Sequence, residues 1–298
     1  MQGQDWLAER FEERRGHLRG VAYRLLGSLS EAEDAVQESW LRLSRTGSEQ
    51  IENLGGWLTT VVSRVCLDML RSRKSRREEA IEDQTSEPEA DAAPGKRIDP
   101  ESETVMADAV GVALLVVLDR LTPAERVAFV LHDLFALPFE EIGPMVNRTP
   151  AAARQLASRA RRRVQGAEAV SAAERHQQRE LISSLLKALR AGDVEAMVAV
   201  LDPQFVIRID EASAQPGGQR EIHGAETWAR QAVVFSRGAK AVQSILVDGV
   251  PGVLLAPHGH LLRVLRFTFA GGRITTAEVI GDPSVLKELE LAVLDAGE

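Results

Sequence analysis

Apolar residues recur at helical spacing through the first quarter of the chain. Leu18, Val21, Ala22, Leu25, Leu26 and Leu29 fall on one face. Gly27 sits inside this run and weakens its end. Ser30 followed by Glu33 has the form of a capping box and predicts a second helix. In it Ala32, Val36, Trp40 and Leu43 make the inner stripe, while Glu33, Asp34, Gln37, Glu38 and Leu41 lie off it. Gly47 to Gly56 reads as a loop. Gly55-Gly56 then gives way to a long helix from Trp57 to about Arg77. Leu58, Val61, Val65 and Met69 are its predicted core positions, and Arg64, Asp68 and Arg71 form a polar stripe.

The period is lost over residues 78–103, where Asp, Glu, Pro, Ala and Ser dominate. A structureless stretch of that length inside one domain would be unusual, so a boundary is placed there. Helical spacing resumes with an apolar helix over Ala107 to Leu121. Thr122-Pro123 with Glu125 supplies a cap, a proline at the first helical position and a capping box. Two short helices follow, Phe139 to about Val146 and Pro150 to about Gln165, the second capped by Thr149. Asn147-Arg148 forms the turn between them, and asparagine tolerates the left-handed conformation such a turn needs. This is the spacing of a helix-turn-helix. Pro144 removes a backbone donor inside the first of the two and predicts a kink.

Beyond a short connector at 167–175 the pattern changes. Helices are predicted over Glu174 to Ala191, Asp193 to Leu201 and Gly224 to Ser236. Phe205 to Asp210, Ala241 to Val247, Gly252 to Ala256, Leu261 to Phe269 and Arg273 to Ile280 alternate or run as strands. Gly271-Gly272 joins the last two as a hairpin. Helices followed by antiparallel strands predict an α+β domain. The expected organisation is therefore a multidomain chain: an all-α domain over 1–77, an acidic flexible linker over 78–103, an all-α helix-turn-helix domain over 104–166, and an α+β domain over 174–298.

Composition changes this picture little. The 298 residues are 44% hydrophobic and 27% charged, which suits packed domains. No apolar run approaches the roughly 20 residues of a membrane helix, and the N-terminus lacks a signal-peptide core, so the expected location is the cytoplasm, without membrane contact. The single cysteine, Cys66, permits no intramolecular disulfide and fits a small buried apolar residue. No metal site and no cofactor are expected.

Charge changes it more. The net charge of −8 argues against indiscriminate nucleic-acid binding, but the charge is segregated. Arg71 to Arg77 is mostly basic, Glu78 to Glu103 mostly acidic, and Arg148 to Arg163 holds six arginines and no acid. Such a chain would touch DNA through local patches.

The strongest candidate chemistry is the second helix of the helix-turn-helix. Ala153, Leu156, Ala160 and Val164 would face the core, leaving Arg154, Gln155, Ser158, Arg159, Arg161 and Arg162 outward, with Arg148 and Thr149 at its start. Arginine reads guanine bidentately, glutamine reads adenine, and further arginines neutralise phosphates. The plainer alternative is a solvated basic face. A second set, Asn53, Trp57, Thr60, Arg64 and Arg71, combines amide, aromatic and basic groups suited to a separated DNA strand. Trp57 at a helix start is more often core, and Asp68 has Arg64 and Arg71 within helical reach as ion-pair partners. A third, Asp34, Gln37, Glu38 and Leu41, is an exposed carboxylate and amide row that would dock a partner helix.

Ala22-Tyr23-Arg24-Leu25-Leu26-Gly27-Ser28 with Glu33-Asp34-Ala35-Val36-Gln37-Glu38 resembles the polymerase-docking segment of extracytoplasmic-function sigma factors. Trp57-Leu58, Leu67-Asp68 and Arg71 resemble their strand-opening helix. Leu121-Thr122-Pro123-Ala124-Glu125-Arg126 and the run Ala152 to Arg161 resemble their second DNA-binding domain. The resemblance implies a promoter-specificity subunit whose partners are core RNA polymerase and promoter DNA. Asp34, Gln37, Glu38 and Leu41 would meet the clamp helices of the largest subunit. Asn53, Trp57, Thr60, Arg64 and Arg71 would melt and hold the minus-ten element. Arg148, Thr149, Arg154, Gln155, Ser158, Arg159 and Arg162 would read the minus-thirty-five element as duplex, with this second domain at the polymerase flap. The acidic linker would thread toward the RNA path and imitate nucleic acid by its charge.

Gly192-Asp193, Gly224-Ala225 and Gly272 to Ile280 resemble the cone-shaped SnoaL-like α+β fold, which a subgroup of these sigma factors carries in place of a separate anti-sigma factor. That subgroup has a Trp-Leu-Pro-Glu-Pro stretch in its linker and an Asp-Gly-Gly-Gly-Lys loop in its last domain. This chain has only Glu87-Pro88-Glu89 in the one place, and Asp210 to Gln219 in the other reads differently. Within the domain, Phe205, Ile207, Trp228, Phe235, Leu265 and Phe267 would line a pocket for a small ligand or form core, with Asp210 at its edge. Asp210, Glu211, His223, His258 and His260 are the groups available for acid–base work, and solvated surface is their plainer reading, so no enzyme is expected. Two alternatives to the sigma-factor reading are a conventional helix-turn-helix regulator and a fusion to a small-molecule-processing enzyme.

Overall fold

The computed structural model describes residues 2–46, 51–82, 111–166, 171–214, 218–234 and 242–294. The chain divides into two compact units, residues 1–109 with 118–161, and residues 110–117 with 162–298.

The first unit opens with three helices, α1 (Gln2–Leu26), α2 (Leu29–Thr46) and α3 (Leu54–Glu82), each packed on the other two. Gly27, at φ 76°, ends α1, and its N–H donates to the carbonyl of Tyr23. The second helix starts earlier than the capping-box reading of Ser30 and Glu33 placed it. Ser28 is the cap, its Oγ accepting the N–H of Glu31 at 3.4 Å. Glu33 instead reaches back to Arg15 and Arg19 of α1. The buried face of α2 is Ala32, Ala35, Val36, Ser39 and Leu43, so Trp40 is half-buried, its ring 5.1 Å from that of Phe11. On α3 the core stripe is Leu58, Val62, Val65, Cys66 and Leu70. Val61 and Met69 are only half-buried, because α3 is wedged between α1 and α2 and its buried arc is turned from the expected one. The helix also continues past Arg77 to Glu82, into the first residues of the expected linker. Cys66 is buried, and burial pushes its thiol pKa up.

The helices α4 (Val112–Asp119), α5 (Pro123–Phe129), α6 (Phe139–Met145) and α7 (Pro150–Gln165) follow. Residues 107–110, expected at the start of α4, lie outside the described residues. Thr122 caps α5 with the full capping box: its Oγ1 accepts the N–H of Glu125, and the Glu125 carboxylate accepts the N–H of Thr122. A π-helical turn, Val130–Leu134, extends α5 and was not foreseen. Helices α5 and α6 pack against α3 inside this unit. Arg126 is the buried link, 2% exposed, with Asp119 Oδ1 3.4 Å from its Nη1. Nearby, Arg73 pairs with Glu31 and donates to the carbonyl of Leu26.

The second unit is built on a seven-stranded sheet in the order β2-β1-β6-β5-β4-β3-β7. Strand β1 (Leu201–Ile209) runs parallel to β6 (Arg273–Ile280), and all other neighbours are antiparallel. The remaining strands are β2 (Glu221–His223), β3 (Val242–Val247), β4 (Val250–Leu255), β5 (Arg263–Ala270) and β7 (Leu291–Ala292). Helices α8 (Ala172–Ala191), α9 (Val194–Val200) and α10 (Ala225–Ala232) lay Ile182, Leu185, Met197 and Ala229 against Phe205, Val253, Phe267 and Ile274 of the sheet. The expected α+β domain is thus present, with a mixed rather than purely antiparallel sheet. Gly271 and Gly272, at φ 57° and 71°, make the expected two-residue turn. Asp248 and Gly249 make a second one, which starts β4 at Val250 instead of Gly252. The short strands β2 and β7 and helix α11 (Pro283–Glu288), capped by Asp282, were not predicted. No described helix is long and apolar enough to cross a membrane, and no metal-ligating cluster occurs among the described residues.

Candidate nucleic-acid and polymerase interfaces

Helix α7 starts as its sequence demands. Thr149 Oγ1 accepts the N–H of Ala152 at 3.2 Å, and Asn147 adopts the left-handed conformation at φ 56°. A feature not anticipated is Gly143. A Cβ there would lie 2.8 Å from the carbonyl oxygen of Arg148 and 3.0 Å from the nitrogen of Pro150, so only glycine lets the turn close onto α6. Pro144 sits inside α6, and the N–H it lacks would have bonded Glu140, which is exposed to water.

The face of α7 divides by size. Ala153, Ala157, Ala160 and Val164 are buried, with Leu156 half-buried instead of fully inside. Ala157, unnoticed in the sequence, is the better core position because its methyl fits the close packing. Arg154, Gln155, Ser158, Arg159 and Arg162 are exposed together, as are Arg148 and Thr149 at the start. Not every arginine is equally free to turn outward. Arg161 is half-buried and its Nε and Nη2 reach Asp133 at 2.7 and 2.6 Å. Arg159 Nε lies 3.7 Å from Glu125, Arg148 donates to the carbonyl of Asn147, and Arg154 lies over the ring of Phe139.

On α3, Arg64 and Arg71 are exposed, Trp57 and Thr60 half-buried. Trp57 is neither full core nor a bare platform. Asn53 acts locally, its Oδ1 capping α3 by accepting the N–H of Gly56 at 3.1 Å. Thr60 donates to the carbonyl of Gly56, leaving its hydroxyl oxygen able to accept. Arg71 is the partner that Asp68 selects, at 3.8 Å. On α2, Asp34, Gln37 and Leu41 are exposed, Leu41 by 40%. Glu38 is half-buried and bonds Arg42 Nε at 2.9 Å.

In the sheet domain, Phe205, Ile207 and Phe267 are buried in the central cluster, with Trp228 and Leu265 packed against it. The Phe205 and Trp228 rings meet edge-on at 5.5 Å. Of the two readings open for these residues, core is the one this packing expresses. Phe235 lies outside the described residues, as does the side chain of His258. Asp210 is a structural clasp. Its Oδ2 accepts the N–H groups of Gly281 and Asp282 at 2.7 and 2.8 Å, and its Oδ1 that of Ser213. Burial raises its pKa, but donors from Ser213, Gly281 and Asp282 outweigh it and hold the carboxyl below the usual aspartate range. A general acid would need the opposite shift. His223 and Glu211 are exposed and pair with Glu221 and Arg220. An open cleft of about 460 Å³ lies elsewhere in this unit, lined by Leu114, Ser183, Arg190, Gln243 and Ser244 among others, and includes no residue singled out from the sequence.

The comparisons with known proteins meet this geometry at the same elements. The sigma-70 region 2 family matches residues 10–76, which hold α2 and most of α3. The sigma-70 region 4 family matches residues 111–164, from α4 through α7. The chain is 34% identical over 293 residues to a probable ECF RNA polymerase sigma factor SigI of Mycobacterium tuberculosis, covering 97% of this chain and 98% of the relative. It is 42% identical over 217 residues to the ECF RNA polymerase sigma factor SigJ of the same species, covering 72% and 69%. The crystal structure of that organism's extracytoplasmic function sigma factor SigJ aligns over 93% of this chain and 97% of its own, at 32% identity and a TM-score of 0.43. With region 2 and region 4 in this order, and a relative matched along nearly its whole length, the chain belongs to the extracytoplasmic-function RNA polymerase sigma factors.

Proposed function

We propose that this sigma factor divides polymerase docking and promoter recognition among three helices. Helix α2 presents Asp34, Gln37, Glu38 and Leu41 to the clamp helices of the largest subunit of core polymerase, and the region 4 domain meets the flap. Helix α3 and the residues before it hold the opened minus-ten strand through Trp57, Thr60, Arg64 and Arg71, with Asn53 fixing the start of the helix. Helix α7 enters the major groove of the minus-thirty-five element, where Arg154, Gln155, Ser158 and Arg159 meet base edges and Arg148, Thr149 and Arg162 meet phosphates. The supporting observation is the two-faced α7: small alanines buried on one side, and every residue of the base-reading set exposed on the other. The acidic linker threads toward the RNA path, and the sheet domain adjusts activity in place of a separate anti-sigma factor.

Transcription in vitro from core polymerase and the full chain tests this reading. The full chain is expected to yield promoter-specific transcript. Arg154→Ala with Arg159→Ala is expected to abolish promoter choice, each lost base contact being worth about 1–3 kcal/mol. Replacing only Arg162, a phosphate partner, should weaken binding alike on all sequences and flatten the salt dependence by about one counterion. Unchanged promoter choice in the double variant would remove α7 as the reader.

A further inference from the structure

Arg154 is the arginine nearest the start of α7 on its exposed face, the end of a recognition helix that meets base edges. A long flexible side chain in that place reads a base well only if something holds it. Here its guanidinium carbon lies 5.3 Å from the centroid of the Phe139 ring. Phe139 opens α6 and is itself 8% exposed. The Phe139 ring is in turn stacked on the imidazole of His132, with centroids 3.9 Å apart and planes at 30°.

His132 is fixed as well. Its Nδ1 lies 2.9 Å from the carbonyl oxygen of Leu137. A carbonyl only accepts, so Nδ1 carries the proton and the ring's tautomer is set. The unusual backbone around it serves the same end. The π-helical turn places His132, Ala136 closes the loop at φ 53° by donating to the His132 carbonyl, and Leu137 donates to that of Leu131. The loop therefore builds a rigid aromatic support directly beneath a base-reading arginine.

We propose that Phe139, backed by His132, is a positioning residue for promoter discrimination: it holds the Arg154 guanidinium by cation–π contact in the orientation that meets a guanine edge. This rests on the reading of α7 as the duplex reader. The ring face is what matters, since a planar guanidinium lies on a π surface and not on an aliphatic one of similar size. Phe139 would touch no DNA itself.

The test is a selection of bound sequences from a duplex library randomised over the upstream element, using the full chain with core polymerase. Arg154→Ala first defines the base position that this arginine reads. Phe139→Leu is then expected to lower preference at that position about threefold, with other positions unchanged. Phe139→Tyr, which retains the ring face, is expected to keep the wild-type preference. In an Arg154→Ala background Phe139→Leu should have no further effect on base preference. A uniform loss of affinity at all positions in Phe139→Leu would mean a merely structural role and overturn the inference, as would an undiminished preference at the Arg154 position. Should Phe139→Leu fail to fold, Phe139→Met takes its place, and a Tyr variant that loses the preference overturns the inference on its own. If Arg154→Ala alters no position, the reading of α7 itself fails, and that result is distinct from the others.

Discussion

Two single residues carry much of the local energetics. The Asp210 carboxylate gathers the N–H groups at the end of β6 and the start of α11 and ties them to the end of β1. Asp210→Ala would leave those donors without their charged acceptor and should destabilise the sheet domain by about 2–3 kcal/mol, measurable by urea unfolding. Because its folded pKa lies below its unfolded one, its stabilisation is complete above the ordinary aspartate range and is lost as pH falls through the depressed folded value. The wild-type domain should lose that increment on acidification, and Asp210→Ala should not. Arg126 is the converse case. Burial lowers its pKa to about 10, and its Nε has no hydrogen-bond partner among the described residues. A charge so enclosed is costly, so Arg126→Met should leave the melting temperature unchanged or raise it. Asp119→Ala, which strips away a partner and leaves the charge behind, should lower stability by roughly 1–3 kcal/mol. The sequence displayed Asp210 and Arg126 as residues, but nothing local in it says that one is wrapped by backbone donors and the other enclosed by α5 and its neighbours.

At the scale of elements, the helix-turn-helix was the most legible part of the chain. The cap Thr149, the left-handed Asn147 and the outward Arg154, Arg159 and Arg162 are all stated by neighbouring residues and occur as read, whereas Arg161 turns aside to Asp133. Thr149→Ala should cost about 1 kcal/mol by thermal melting. Gly143→Ala should cost more and reduce duplex affinity along with stability, because its Cβ would press on the Arg148 carbonyl and shift α7. Helices α2 and α3 were found with less accuracy. Ser28 and Ser30 both precede a glutamate by three residues, and only the point where α1 stops decides between them. On α3 the apolar residues Leu58, Val61, Val62, Val65, Cys66 and Met69 cover most of a turn, so the buried arc depends on where α1 and α2 lie. Strands β2 and β7 have two or three residues each and no period to read.

At the scale of the molecule, region 2 and the larger part of region 4 form one compact unit, in which α5 and α6 pack on α3. A unit of about 150 residues has a radius of gyration near 15 Å. Duplex from minus ten to minus thirty-five spans about 85 Å at 3.4 Å per step. The proposed function therefore requires α5 and α6, and α7 with them, to part from α3 when both elements are engaged. Fluorophores at Arg45→Cys and Glu140→Cys, both exposed positions in this unit, should be close in the free chain and move apart on promoter binding with core polymerase. An unchanged distance would show that one of the two promoter elements is not read by the helix assigned to it.

What the sequence determined by itself is whatever neighbouring residues decide: helix caps, the Gly271-Gly272 turn, the basic outward face of α7, and the order of sigma regions that names the family. What only the tertiary structure decided is whatever depends on residues far apart meeting. Arg126 lies near Glu31 of α2 and Arg73 of α3, most of α4 falls in the same unit as the sheet, and Phe139 lies between a histidine before it and an arginine after it. The physical reason is that capping and periodicity are properties of a few bonds along the chain, whereas burial, close approach and stacking exist only once separate segments exclude water from one another.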